Sequence, residues 1–407
     1  MDEARLLRGA EIVKRGGVVK LRRMLWQVRS QSHTGMYLVD ITGARPTCTC
    51  PDFETRGVAP DFACKHVYAT SIRRRVLVVP ASLMTDRKPT YSQDWPAYNR
   101  GQEYERERAA DLLAELCGGI GNPVQTTGRP RHALANVVFA MVSKVYGGLS
   151  VRRSASEIRA ARKAGFIDAT PSSTVVFRAF EDPALTPLLR QLVHETAQPL
   201  AEIENIFAVD STGFSTCNYE RWFDVKYGRD MSKQKYVKLH AIVGTLTHVI
   251  TDALVDDSGG DAPRLPELVQ QTSRDFRIEA VAADKAYLSK RNVVAITDVG
   301  GIPYIPFKTG TSGEKGPNVW KKMWAAFTLK NDEFMAAYHA RSNVETVFSM
   351  IKRKFGGSLR NKTFVAQHNE ILCKCIAHNL SVLVAAIYEI GLAPTFWKPS
   401  DSEVALS

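Results

Sequence analysis

The chain has 407 residues, 44% hydrophobic and 24% charged, with a formal net charge of +12. That balance is ordinary for a globular protein of two or three domains, and the positive excess favours a polyanionic partner without specifying a fold. No run of eighteen apolar residues occurs and "MDEARLLRGA" lacks a signal-peptide core, so no membrane span or secretory leader is expected.

Residues 1–78 read as a small α/β module. "WQVRSQS" and "GMYLVDI" are β-prone runs, and "KHVYATSIRRRV" follows as a helix. Residues 79–108, rich in polar residues and proline, read as a linker. Residues 109–200 are helical in pattern. "ADLLAELC" stops at Gly118–Gly119, "RHALANVVFAMVSKVYGG" at Gly147–Gly148, and "SVRRSASEIRAARKAGF" at Gly165. "TPSSTVVFRAFEDP" is a fourth helix, with Thr170 as its expected cap and Pro171 at its first position. From 201 to 390 the pattern changes. "IFAVDSTGF", "RWFDVKYG" and the run 236–257 are β-rich, "PELVQQTSRD" is helical, "RIEAVAAD" and "PYIPFK" are strands, and Trp320 to Ile387 is helical. A hairpin meander followed by alternating helix and strand predicts a mixed sheet with helices on its faces. Residues 391–407 form an irregular tail.

Seven cysteines, odd in number and unevenly spread, favour a reducing compartment and metal binding over a disulfide framework. Cys48, Cys50, Cys64 and His66 lie in C-x-C and C-x-H pairs thirteen residues apart. If Cys48 and Cys50 share a strand, both thiolates face one point. Three thiolates and an imidazole suit tetrahedral Zn²⁺. The pattern, with its upstream hairpin and "CPDF" run, resembles the SWIM zinc finger, which implies a module that holds DNA or protein. Cys373, Cys375 and His378 are read as core residues, because 373 and 375 point about 200° apart on a helix.

The stretch "YHARSNVETVFSMIK" places Tyr338, Arg341, Glu345 and Lys352 within roughly 60° of one helix side, beside an apolar stripe of Val344, Val347, Phe348 and Ile351. Taken alone, it also reads as a solvated face with an Arg341–Glu345 pair worth about 0.2–0.5 kcal/mol. Two further acids, Asp210 after "IFAV" and Asp284 after "EAVAA", close apolar strand-like runs, where an unpaired charge is costly. Three converging carboxylates would suit Mg²⁺ or Mn²⁺.

Asp210 in "AVDSTG", Asp284 in "AADKAY" and Glu345 in "YHARSNVE" resemble the DDE triad of bacterial insertion-sequence transposases. Tyr338, Arg341, Glu345 and Lys352 match the Y-x2-R-x3-E-x6-K signature of one large class. The resemblance spans roughly residues 125–390. It implies an RNase H-like catalytic domain at 201–390, with the three acids as catalytic ligands of Mg²⁺ or Mn²⁺. It implies Lys352 at the transposon-end phosphates, Arg341 and Tyr338 supporting the glutamate or the DNA, and a bacterial, nucleoid-associated cytoplasmic protein. Synapsis of two ends suggests a homodimer or higher oligomer.

Residues 346–362 carry Lys352, Arg353, Lys354, Arg360 and Lys362 and no acid, as a phosphate-contacting stretch would. Residues 154–180 have helix–turn–helix proportions, with Ser172, Ser173, Thr174 and Arg178 on the recognition helix; a plain helical bundle is the competing reading. The fold expected is α/β throughout: a zinc-binding module, a helical DNA-binding region and an RNase H-like domain.

Overall fold

The computed structural model describes residues 3–22, 24–31, 35–43, 45–59, 62–74, 76–77, 94–128, 130–216, 236–257 and 260–397. They fall into two compact units, 1–93 and 94–407.

The first unit contains α1 (Glu3–Lys14), β1 (Val18–Lys20), β2 (Leu25–Arg29), β3 (Met36–Asp40), β4 (Thr47–Cys48), α2 (Pro51–Arg56) and α3 (Lys65–Arg73). The strands form an antiparallel sheet in sequence order. Alternation along β2 turns Trp26 and Val28 inward, where they meet Val39, Ile12 of α1 and Val67 of α3. Cys48, Cys50 and Cys64 belong to this same core.

The second unit opens with α4 (Trp95–Glu103) and α5 (Glu105–Gly118), followed by α6 (Leu134–Tyr146), α7 (Ala155–Lys163), α8 (Ser173–Glu181) and α9 (Leu185–Ala197). Its sheet strands are β5 (Ile206–Ser215), β6 (Tyr236–Gly244), β7 (Ile250–Asp256), β8 (Ala280–Ala283) and β9 (Ile302–Tyr304). Its other helices are α10 (Leu265–Thr272), α11 (Lys290–Asp298), α12 (Asn318–Leu329), α13 (Asn331–Tyr338), α14 (Ser342–Phe355) and α15 (Phe364–Ile390).

The linker expected at 79–108 is corrected over its described part. Asp94 caps α4 by accepting from the Ala97 N–H at 3.1 Å, Pro96 suits the first turn, and α4 packs on α15. Its polar composition reflects one exposed face, not the absence of structure. The expected cap of α8 also moves: Ser172, not Thr170, accepts from Val175 N–H at 3.4 Å.

The sheet order is β7-β6-β5-β8-β9. β5, β6 and β7 form an antiparallel meander, while β5, β8 and β9 run parallel. This mixed sheet with flanking helices is consistent with an RNase H-like domain. The strand expected at 303–308 shortens to Ile302–Tyr304, since Pro306 has no N–H to extend the ladder. Phe307 turns instead into an aromatic cluster with Trp320 and Trp324. "RWFDVKYG" lies outside the described residues.

By length and composition α15 alone among the described helices could cross a membrane, but 78% of its apolar window is buried, as in a core helix. Cys373, Cys375 and His378 are buried along it. Fully buried Asn379 ties α15 to its neighbours, donating to Val193 O of α9 at 3.1 Å and Ile250 O of β7 at 2.7 Å, and accepting from Ile250 N–H at 2.9 Å. A buried amide so fully satisfied fixes helix and sheet in register.

Candidate active site and metal centre

Asp210 lies midway along β5, not at its end, because β5 pairs with β6 as far as Ser215. The ladder to β8 does end there: Val209 pairs with Ala283, so Asp210 and Asp284 are the next residues of two adjacent parallel strands. Neighbouring strands lie about 4.8 Å apart, which sets the two acids side by side. Asp284 then turns the chain, its carboxylate accepting from Lys285 N–H at 2.6 Å at the start of a 3₁₀ turn.

Glu345 comes from α14. The region read as helical from Trp320 to Ile387 is helical in pieces, and the single helix expected over 338–352 is broken: α13 ends at Tyr338, His339–Arg341 form a 3₁₀ turn, and Gly356 (φ +86°) ends α14. Tyr338, Arg341 and Glu345 therefore lie across a joint, and their grouping depends on that turn. Arg341 donates Nη1 to Asp210 Oδ2 at 2.5 Å and Nη2 to Glu345 Oε1 at 2.6 Å, and lies 5.8 Å from the Tyr338 ring centre. One guanidinium spans the two carboxylates. Lys352 donates to Thr212 Oγ1 of β5 at 2.6 Å and sits over the Phe214 ring.

Burial pushes the Asp210 carboxyl above its ordinary range; the Ser211 amide and Arg341 oppose the rise, and the Asp284 and Glu345 charges add to it. Arg341 is held more firmly protonated than usual: burial opposes its charge, and Tyr338, Asp210 and Glu345 outweigh burial. The three acids do not close into one ligand cluster, since Arg341 stands between two of them. Their chemistry, hard oxygens with partly accessible faces and mutual repulsion, fits a divalent cation.

The other basic candidates separate. Arg353 and Arg178 are exposed. Lys354 is committed: its ammonium pairs with Glu105 of α5 and donates to Ser381 Oγ at 3.0 Å. Tyr146 also donates to Glu105. That partner was hidden in the segment read as linker.

In the first unit, one ligand atom from each of Cys48, Cys50, Cys64 and His66 lies within 4.8 Å of the others, and all four residues are buried. The strand-borne pair is corrected: Cys48 ends β4, but Cys50 caps α2, accepting from Phe53 N–H at 3.4 Å, and Cys64 caps α3. His66 turns Nδ1 toward the sulfurs of Cys48 (3.8 Å) and Cys64 (3.9 Å). Hydrogen bonds from Cys48 and then Cys64 push Cys50 well down, while Cys48 is pushed up. Four soft or borderline donors around one point fit Zn²⁺.

Reading the sequence missed the polar groups flanking Asp210, among them buried His240 and partly buried Asp261. "KLHAIV" contains the first, but only the packing shows what it touches.

Residues 202–380, which contain Asp210, Asp284 and Glu345, match the family model of the transposase DDE domain. The match supports a transposase, and with it DNA binding and nuclease- or transferase-type activity.

Proposed function

We propose, from that match and the site geometry, that the protein is a DDE transposase that cuts the ends of an insertion sequence and joins them to target DNA. The observation that carries this reading is the strand register beside Asp210 and Asp284, together with the guanidinium spanning Asp210 and Glu345.

In this reading Asp210, Asp284 and Glu345 hold Mg²⁺ or Mn²⁺. When bound, such ions activate a water or a 3′-hydroxyl and stabilise the leaving oxygen of an in-line displacement. Lys352, fixed against β5 by Thr212, presents its ammonium to a phosphate of the cut strand. Arg341 and Tyr338 match the Y-R-E-K class signature. Arg341 neutralises the acids before DNA arrives and then turns to the backbone. Arg353, in the last turn of α14, adds a phosphate contact, and exposed Arg178 on α8 a contact in the helical end-binding region.

The SWIM-type module at 1–78 holds Zn²⁺ and contributes a DNA or protein contact. Residues 109–200 bind transposon ends, 201–390 carry catalysis, and the working form is a homodimer or higher oligomer in the bacterial cytoplasm.

The test is strand cleavage and joining on DNA carrying the inverted repeats that flank the coding region, in Mg²⁺. The wild type should give both products. Asp210→Asn and Glu345→Gln should give neither while still retarding the DNA. Cleavage surviving in either variant would refute the assignment, and cleavage without joined products would reduce the protein to a nuclease.

A further inference from the structure

Beside Asp210 lies a partly buried polar network, centred on buried His240, that the proposed chemistry does not use. His240, on β6 opposite Ser211, is fully buried. Its Nδ1 lies 3.5 Å from the Tyr287 hydroxyl and 3.6 Å from Asp261 Oδ1, and its Nε2 lies 3.5 Å from Asp256 Oδ2. Asp261 accepts from Ser211 Oγ at 3.2 Å and pairs with Lys238; Asp256 pairs with Arg264. Asn292 ties the same elements from behind, donating to Ala262 O at 2.9 Å and Tyr287 O at 2.7 Å.

The two ends of this network are informative. Ser211 is the residue after Asp210, and Tyr287 closes the turn that Asp284 begins. Two ionised carboxylates have no proton to share, so the spacing of Asp210 and Asp284 is set by the short β5–β8 ladder and by whatever braces it.

We infer that His240, with Asp261, is a positioning residue that braces the Asp210 strand against the Asp284 turn and so sets the spacing of two metal-ligating carboxylates. This rests on the proposed function. Burial also pushes the His240 pKa down, which keeps the imidazole neutral, able to donate from one nitrogen and accept at the other. His240 touches no carboxylate of the triad; it acts through Tyr287 and through Asp261 on Ser211. Groups that orient metal ligands typically change affinity by about 10–100-fold when lost.

The test is Mn²⁺ binding to the zinc-loaded full chain without DNA, read from the paramagnetic resonance signal of free Mn²⁺, with Asp210→Asn defining the site. His240→Gln should bind Mn²⁺ roughly tenfold more weakly, with an unchanged unfolding midpoint. Tyr287→Phe, which removes one hydroxyl and keeps the ring, should weaken binding in the same direction by a smaller factor. Wild-type affinity in Tyr287→Phe would overturn the inference, whatever His240→Gln does. Failure of the parent proposal looks different: the wild type itself would then show no Mn²⁺ site that Asp210→Asn removes, and both would fall.

Discussion

Arg341 closes on Asp210, with Nη1 2.5 Å from Oδ2, although 131 residues separate them in the chain. The same guanidinium holds Glu345. Arg341 thus serves two carboxylates that a divalent cation would also claim, and charge and cation compete for the same oxygens. Arg341→Gln should bind Mn²⁺ more tightly at pH 8 in the absence of DNA, by roughly two- to fivefold, the worth of a partly exposed ion pair. Calorimetric titration measures it.

The same variant has a pH signature. Burial already raises the Asp210 carboxyl, and Arg341 is among the groups holding it down. Without Arg341 the carboxyl should rise further, so a higher pH is needed to ionise it. The pH at which Mn²⁺ binding sets in should therefore move up in Arg341→Gln, measured by the same titration across pH 5 to 8. A midpoint that moves down would contradict the electrostatics.

Arg353 and Lys354 are neighbours with different expected behaviour. Arg353 is exposed, whereas the Lys354 ammonium is held by Glu105 and Ser381. Arg353→Ala should lower the salt dependence of DNA binding by about one charge, with little change in stability. Lys354→Ala should leave that slope nearly unchanged and lower the unfolding midpoint of the second unit, because the partly buried Glu105 carboxylate loses its cation. Binding titrations at several salt concentrations and thermal melts separate the two.

Zinc removal should act on the first unit alone. Its core is small, and the four ligand residues form part of it. The protein should carry one equivalent of Zn²⁺, lost in Cys50→Ser and on strong chelation. Amide exchange in residues 3–77 should then collapse toward unprotected rates while protection in 94–397 persists. Metal analysis with hydrogen-exchange mass spectrometry reads both.

The carriers of charge and soft donors were legible in the chain because local patterning marks them. Asp210 and Asp284 close apolar runs, and the C-x-C and C-x-H pairs need no fold to be noticed. Their geometry was less legible. Periodicity treats 338–352 as one helix, but the 3₁₀ turn at His339–Arg341 is what swings Arg341 onto Asp210. Strand alternation paired Cys48 with Cys50, but Pro51 starts a helix and makes Cys50 its cap. The polar composition of 94–108 signalled a linker, since one buried face on α15 is too little apolar surface to read as a core helix. The sequence assigned Lys354 to DNA phosphate and gave His240 no role, because it does not show what either touches. Their partners, Glu105 and Asp261, come from segments that only tertiary packing brings near.

The most direct measurement is anomalous scattering at the manganese edge from crystals of the zinc-loaded protein soaked in Mn²⁺, with Glu345→Gln as the comparison. The account expects density bounded by the carboxylates of Asp210, Asp284 and Glu345 in the wild type, with Arg341 drawn off Asp210, and weakened density in the variant. Mn²⁺ density elsewhere, with Arg341 still closed on Asp210 and Glu345, would contradict it.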